Sequence, residues 1–381
     1  MPDLKKIVEL FAIEGGIKEI KPLGNGLIND TYKVVTEGDG PDYVLQRINN
    51  AIFTDVELLQ SNIEAVTRHI RRKLEDAGEK DIDRKVLRFI PLKSEGQRLE
   101  ALITEKPRTY CLADGKYWRV SVFISDASTF EAVNPEYSEF AGEAFGAFEA
   151  MLADIPDTLG ETIPDFHNME LRLRQLIEAV REDKAGRLAA DDKTEGQELH
   201  AILAEMDKYG EKMCLAEQLH REGTLPKRIC HCDTKVDNIL FDKDDSVLCV
   251  IDLDTVMPSF IFSDYGDFLR SAANTMPEDS PEYDKISFRM DIFKKFTEGY
   301  LETAGAFLTP VEIENLPYAA TLFPYMQVVR FYADYLNGDT YFKTQYPEHN
   351  LVRTLNQLAL LRSAEEHIPE MEAFIKQQLE K

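Results

Sequence analysis

Hydrophobic and polar positions along the chain fall into two textures. Between residues 17 and 124 the apolar residues come in short alternating runs: "IKEIKPL", "NDTYKVV", "YVLQRIN", "KVLRFIPL", "EALITE" and "YWRVSVFI". The first three are separated by "GNG" and "EGDGPD". Period-two alternation broken by turn-forming residues predicts a meander of antiparallel strands. Two segments depart from it. "DLKKIVELF" sets Leu4, Ile7, Val8 and Phe11 at helical spacing, and "VELLQSNIEAVTRHIRRKL" carries Val56, Leu59, Ile63, Val66, Ile70 and Leu74 as one continuous stripe, the signature of an amphipathic helix. Beyond "VFISDASTF" the period is helical almost throughout, in "EYSEFAGEAFGAFEAML", from Met169 to His220, and in "DKISFRMDIFKKFTEGYL", "LFPYMQVVRFYADYL" and "LVRTLNQLALL". An island of strand-like pieces, "RICHC", "NILFD" and "VLCVIDL", interrupts the helices. The expected architecture is α+β: residues 1–122 form a small antiparallel-sheet lobe with one long helix, and residues 123–381 form a mainly helical lobe. A cleft between two such lobes is a usual place for a ligand. No period of twenty to fifty residues repeats, which excludes a solenoid.

Composition narrows the function classes. At 381 residues with 44% hydrophobic and 30% charged positions, the chain is an ordinary globular one, large enough for two or three cores. Forty-four basic against sixty-nine acidic residues give a net charge of -25. That opposes any broad embrace of nucleic acid or of an anionic membrane and suits a small-molecule partner. The first thirty residues lack a signal-peptide pattern or a membrane-spanning run, so a cytoplasmic location is expected. Five cysteines, an odd number, point to reduced, mostly buried thiols rather than a disulfide framework.

The chemistry concentrates in "RICHCDTKVDNILFDKDDSVLCVIDLDTV", residues 228–256. Cys230, His231 and Cys232 are consecutive, whereas zinc ligands come as spaced pairs from two segments, and Cys111, Cys214 and Cys249 form no second pair. The better reading takes His231, Asp233, Asn238 and Asp252 together. One carboxylate orients an attacking hydroxyl, while an amide and a second carboxylate hold magnesium on nucleotide phosphates, the donor set that phosphoryl transfer needs. His231 braces the loop by packing and hydrogen bonding. Asp252, after "VLCVI" and before "L", is expected in an apolar setting where its carboxylate needs a cation or a donor. Asp237, Asp242, Asp244 and Asp245 read as turn formers and solvated charges.

These residues, in the order "HCDTKVDNILFD", "VIDLDTVMP" and "SDYGDFLR", resemble the catalytic core of the aminoglycoside phosphotransferase-like kinases, and among them the N-acetylhexosamine 1-kinases. The likeness extends to "PLGNGLINDTYKV", "YVLQRIN", "NIEAVTRHI" and "VVRFYADYLNGDTYFK". The resemblance implies a bilobal protein-kinase-like fold, with residues 1–122 as the nucleotide-binding lobe and residues 123–381 carrying the catalytic loop and sugar-binding helices. It implies ATP and Mg2+ as cofactors, Asp233 as catalytic base, and Asn238 and Asp252 as metal ligands. The phosphate loop is then Gly24, Asn25 and Gly26, with Asn29 and Thr31 adding contacts; on residues alone "NG" also reads as a simple hairpin turn. The lysine expected on the third strand is replaced by Gln46 or Arg47. Arg47 is the expected phosphate cation because it alone of the two is charged, with Glu64 of the long helix as its partner and Glu57 as the alternative. Backbone groups of Phe123, Ile124 and Ser125 are expected against adenine.

For the acceptor, Asp267 and Arg270, then Arg330, Asp334 and Tyr335, interrupt apolar helices. They either line a polar cleft or form structural ion pairs, Arg330 and Asp334 sharing a helix face. Asp254 joins Asp252 on one side if the strand continues. The expected activity is ATP-dependent phosphorylation of an N-acetylhexosamine at its anomeric hydroxyl, giving the sugar 1-phosphate. The alternatives are a kinase for choline, ethanolamine, homoserine or an aminoglycoside, and a non-catalytic nucleotide-binding scaffold.

Overall fold

A computed structural model of the chain describes residues 3–24, 28–93, 107–130, 133–193 and 196–380. The chain divides into two compact units. One comprises Met1–Thr129, Asp154–Pro164 and Asn238–Met257; the other comprises Phe130–Ala153, Asp165–Asp237 and Pro258–Lys381.

The first unit is built on a five-stranded antiparallel sheet, β1 (Ile17–Pro22), β2 (Asp30–Thr36), β3 (Tyr43–Ile48), β4 (Tyr110–Ala113) and β5 (Lys116–Val122), in the order β1-β2-β3-β5-β4. Alternation puts Val34, Tyr43, Leu45, Trp118 and Val120 on one face, where they form a core with Val8, Phe11 and Ile90. The long helix Val56–Asp76 starts where the Asp55 side chain accepts the Leu58 N–H at 2.9 Å, an N-cap that satisfies an otherwise orphan donor. Its predicted stripe is buried from Val56 to Ile70 and only half-buried at Leu74, in the last turn. The expected strand at residues 85–92 contributes only isolated bridges, Phe89 to Ser121 and Leu92 to Phe11. The expected strand at 100–105 lies outside the described residues.

The island of β structure supplies β6 (Arg228–Cys230) to the second unit and the hairpin of β7 (Ile239–Phe241) and β8 (Val247–Val250) to the first. The second unit is otherwise helical. Its helix Pro135–Leu152 begins at Asn134, whose side chain accepts the Tyr137 N–H at 2.8 Å, with proline at the first helical position, where a missing N–H costs nothing. It packs closely on the helix Met290–Ala304 because glycines face each other's backbones. A Cβ at Gly142 would lie 2.2 Å from the Phe296 carbonyl oxygen, and one at Gly299 would lie 2.1 Å from that of Glu139. No helix among the described residues is long and apolar enough to cross a membrane.

Candidate active site

In the first unit, strand pairing fixes the positions of Asn238 and Asp252. In the β7–β8 hairpin Ile239 is opposite Val250, and the Ile251 N–H donates to the Asn238 carbonyl oxygen at 2.9 Å. Asn238 and Asp252 therefore flank the open end of one hairpin, two oxygen-bearing residues that backbone register makes neighbours in the fold. This donor set fits a hard divalent cation such as Mg2+, which takes oxygen ligands and keeps several waters.

The environment of Asp252 differs from the sequence expectation. β8 ends at Val250, Asp252 adopts the left-handed conformation at φ 58°, and Leu253–Thr255 form a 3₁₀ turn. That one conformation inverts the side-chain alternation. Asp252 is exposed, and Asp254, expected beside it, is the buried carboxylate with 3% of its surface exposed. The Asp254 side chain is held from two directions: Arg119 Nη2 of β5 lies 2.6 Å from its Oδ1, and Asn29 Nδ2 donates to its Oδ2 at 2.6 Å. A carboxylate so engaged is an anchor rather than an acceptor contact.

The loop at residues 24–31 is described in part. Gly24 is left-handed at φ 68°, a conformation that glycine adopts without strain; Asn25 and Gly26 lie outside the described residues. Asn29 also accepts the Asn49 N–H at 2.9 Å, so its amide joins the loop both to Asp254 and to the residue after β3. Thr31 lies across from Gln46 and accepts its side-chain N–H at 3.4 Å.

The expected pairing of Arg47 with Glu64 is not formed. Register places Arg47 opposite Asp30, and its Nε donates to the Asp30 carboxylate at 2.5 Å. That hydrogen bond raises the guanidinium pKa against a smaller opposing effect of burial. Glu64 instead accepts the Thr109 hydroxyl, which in turn accepts from Gln60 at 2.8 Å; Glu57 is exposed. The buried cation near the third strand is Arg119. It stands opposite Gln46 in the β3–β5 pairing and donates from Nε to Gln46 Oε1 at 3.0 Å. In the connector, the Phe123 N–H donates to Asp42 and the Ser125 carbonyl accepts from Arg84, while Ile124 is buried. Two of the backbone groups expected against adenine thus already have partners.

The second unit carries the loop of His231 and Asp233. The β6 strand ends at Cys230, and the turn that follows is fixed by Asp264. Its carboxylate accepts the His231 N–H at 2.7 Å and the Cys232 N–H at 2.6 Å, and its carbonyl accepts the Thr234 hydroxyl at 2.7 Å. His231 is fully buried, edge-on to Phe145 and Phe148, and its Nδ1 accepts the Asp233 N–H at 3.3 Å. It braces the loop by the packing and hydrogen bonding its position suggested. Behind Asp264 lies Glu149, whose carboxyl takes the Tyr300 hydroxyl. Burial foremost, and the charge of Asp264, push Glu149 well above the ordinary carboxyl range, which favours its protonated form. Burial likewise pushes the Cys230 and Cys232 thiols up, and Cys230 donates to the Phe260 carbonyl at 3.4 Å.

Asp233 is paired with Lys235, Nζ to Oδ1 at 2.6 Å. Burial works against the Lys235 charge, but Asp233 and Asp267 outweigh it and raise its pKa. Sequence reasoning passed over Lys235, although the signal was there: it is the only basic residue in "HCDTKVDN". Asp267 is a near neighbour in the electrostatic sense. Burial raises its pKa, Arg270 lowers it, and Asp233 adds to the rise. Arg270 donates to Asp267 from Nε and Nη2 at 3.2 and 3.1 Å and reaches Glu278 at 2.6 Å.

The acceptor residues proposed on the helix Leu316–Leu336 have separate fates. Arg330 and Asp334 do not pair with each other. Asp334 accepts the N–H groups of Thr340, Tyr341 and Phe342 at 2.8–3.0 Å and an Asn350 amide at 2.9 Å, closing the loop after the helix. One face of Tyr335 is covered by Arg187, whose guanidinium carbon is 3.8 Å from the ring centre. Arg330 contacts Gln327 and the rings of Phe166, Tyr341 and Phe342. It lines a cavity of about 350 Å³ with Arg172, Asp334 and Tyr341. Burial, then Arg330, lowers Arg172 to about 10.

Residues 19–305 match the model of a phosphotransferase enzyme family, APH. Solved structures similar to the chain are an aminoglycoside phosphotransferase from Alicyclobacillus acidocaldarius (TM-score 0.59, 11% identity, 99% of this chain and 97% of that one), a choline kinase from Cryptosporidium parvum (0.54, 14%, 99% and 99%) and an ethanolamine kinase from Plasmodium vivax (0.53, 14%, 91% and 84%). At such identities the likeness establishes the fold, the α+β protein-kinase-like one, with an antiparallel sheet region and a mostly helical remainder. With three quarters of its length matched by the family model, the chain belongs to the APH phosphotransferase enzyme family.

Proposed function

We propose that the protein is an ATP- and Mg2+-dependent small-molecule kinase that phosphorylates an N-acetylhexosamine at its anomeric hydroxyl. The observation that carries the kinase reading is the hairpin register that sets Asn238 beside Asp252, in a chain whose Asp233 loop is fixed by Asp264. Asp233 orients the acceptor hydroxyl and accepts its proton as the bond to phosphorus forms. Lys235, held charged beside it, balances the carboxylate before transfer and stands where negative charge builds up during it. Asn238 and Asp252 hold the metal, which when bound neutralises charge on the nucleotide phosphates. Nucleotide binding belongs to the sheet unit, where Gly24 and Asn29 frame the loop.

The sugar reading rests on the sequence resemblance, since the acidic balance of the chain by itself would suit a cationic acceptor. Lys235 and Arg270 stand close to Asp233 and Asp267, and Arg172 and Arg330 line the cavity in the helical unit. Lys235 is balanced by Asp233, Arg270 by Asp267 and Glu278, and Asp334 lines the same cavity as the two arginines, so these charges leave room for a cationic acceptor as well as for a neutral sugar. Choline and aminoglycosides, the acceptor types of the structurally similar kinases, are therefore the second reading. Incubation with ATP and a panel of free hexosamines, amino alcohols and aminoglycosides, followed by mass and phosphorus resonance analysis, is expected to give phosphate on C1 of an N-acetylhexosamine. Phosphate appearing only on an amino alcohol or aminoglycoside would refute the sugar assignment.

A further inference from the structure

The third strand offers a glutamine where a phosphate-side cation was expected, yet a buried arginine stands directly across from it. Arg119 has 2% of its surface exposed. Its Nε donates to Gln46 Oε1 at 3.0 Å, its Nη2 forms an ion pair with Asp254 Oδ1 at 2.6 Å, and the guanidinium carbon is 5.4 Å from the Phe89 ring centre. Its Nη1 is buried without a hydrogen-bond acceptor among the described residues. A cation so enclosed does not reach a ligand itself. It acts on what it holds.

What it holds is the turn that presents Asp252. The Asp254 side chain is taken by Arg119 and Asn29, its carbonyl accepts the Thr162 hydroxyl at 3.0 Å, and the Val256 carbonyl accepts the Asn62 amide at 3.0 Å. The left-handed backbone of a non-glycine residue costs about 1–3 kcal/mol and persists only where its surroundings over-determine it. Here they do, at Asp254 and Val256, two and four residues further on. The same Asn29 ends the glycine loop, so one buried carboxylate ties together that loop, strand β5 and the turn of the exposed Asp252.

We propose that Arg119 and Asp254 are positioning residues: their buried ion pair, with Asn29, fixes the Asp252 carboxylate in the orientation that holds the divalent ion. The proposal rests on reading Asp252 as a metal ligand. Groups that orient a ligand from behind typically alter metal affinity 10–100-fold when removed, and an ion pair of this kind tolerates a lysine better than a neutral residue.

The test uses the full chain and two readouts independent of turnover: Mn2+ affinity in the presence of ADP, by electron paramagnetic resonance, and hydrogen exchange of the Ile251 and Val256 amides. R119M is expected to weaken Mn2+ binding by about tenfold or more and to speed exchange at both amides, R119K to stay within about threefold, and Asn29→Ala to fall between them. A folded R119M with wild-type Mn2+ affinity, even if its melting temperature drops, would overturn the proposal by leaving the pair only a structural role. Should R119M fail to fold, Asn29→Ala carries the test, and unchanged affinity together with unchanged exchange would overturn the proposal equally. Wild-type protein that binds no Mn2+ with ADP would refute the metal reading of Asp252 and this proposal with it. Binding by the wild type with no response in the variants would refute this proposal alone.

Discussion

Two turns in different units present the two carboxylates proposed for chemistry, and each is backed by a second, buried carboxylate. In the sheet unit Asp254 stands behind Asp252; in the helical unit Asp264 stands behind Asp233. The difference lies in how the buried charge is stabilised. Asp254 is balanced by a full cation, Arg119. Asp264 has two backbone N–H groups, a hydroxyl on its carbonyl and the Glu149 carboxyl, with its raised pKa, at its back. A buried ion pair does not survive removal of one partner. A hydrogen-bonded carboxylate with a protonated neighbour depends on where that proton goes.

The largest expected effect falls on the presented carboxylate of the helical unit. Asp233→Asn removes the base while preserving shape, and turnover is expected to fall by about 10²–10⁴-fold; steady-state kinetics check it. Next comes the ion pair behind the other turn. Arg119→Met leaves Asp254 buried with one amide donor, and a loss of about 3–5 kcal/mol in folding stability is expected in urea unfolding, against a clearly smaller loss for Arg119→Lys.

The acid pair responds to pH instead. Glu149 has a folded-state pKa raised above its ordinary 4.5, so the folded chain retains a proton that the unfolded chain releases. Its contribution is complete below pH 4.5 and declines as pH rises toward the folded value, by up to about 1.4 kcal/mol per pH unit. Glu149→Gln keeps a donor for Asp264 and an acceptor for Tyr300 without the proton. Melting temperatures between pH 5 and 8 are therefore expected to shift in favour of the variant as pH rises. A shift the other way would contradict the raised Glu149 pKa. The smallest effect is expected at Arg47→Ala, whose partner Asp30 is half exposed; a loss of no more than about 1 kcal/mol is expected in the same unfolding experiment.

Much of the scaffold was legible as periodicity. The stripe from Val56 to Ile70 and the runs that became β1, β2, β3 and β5 required no tertiary information, because burial of one face imposes the period. Strand β4 was overlooked although "TYCLADGKYW" contains its hairpin signal: Asp114 and Gly115 both have positive φ, as a two-residue turn requires. The site was legible as residue types but not as environments. Asp252 follows an apolar run and so reads as buried, yet its left-handed backbone transfers burial to Asp254. Arg119 sits within an alternating strand and reads as the solvent side. Both faces of β5 are covered instead, Trp118 and Val120 being buried on one and Arg119 and Ser121 on the other. Which acceptor each arginine finds depends on cross-strand register, and register is decided by packing over the whole sheet.

The division of labour between the two presented carboxylates is tested most directly by titrating ADP into wild-type, Asp233→Asn and Asp252→Asn proteins with and without Mg2+. The account predicts that Asp233→Asn keeps the Mg2+-dependent gain in affinity and that Asp252→Asn loses it. Equal gains in the two variants would contradict it.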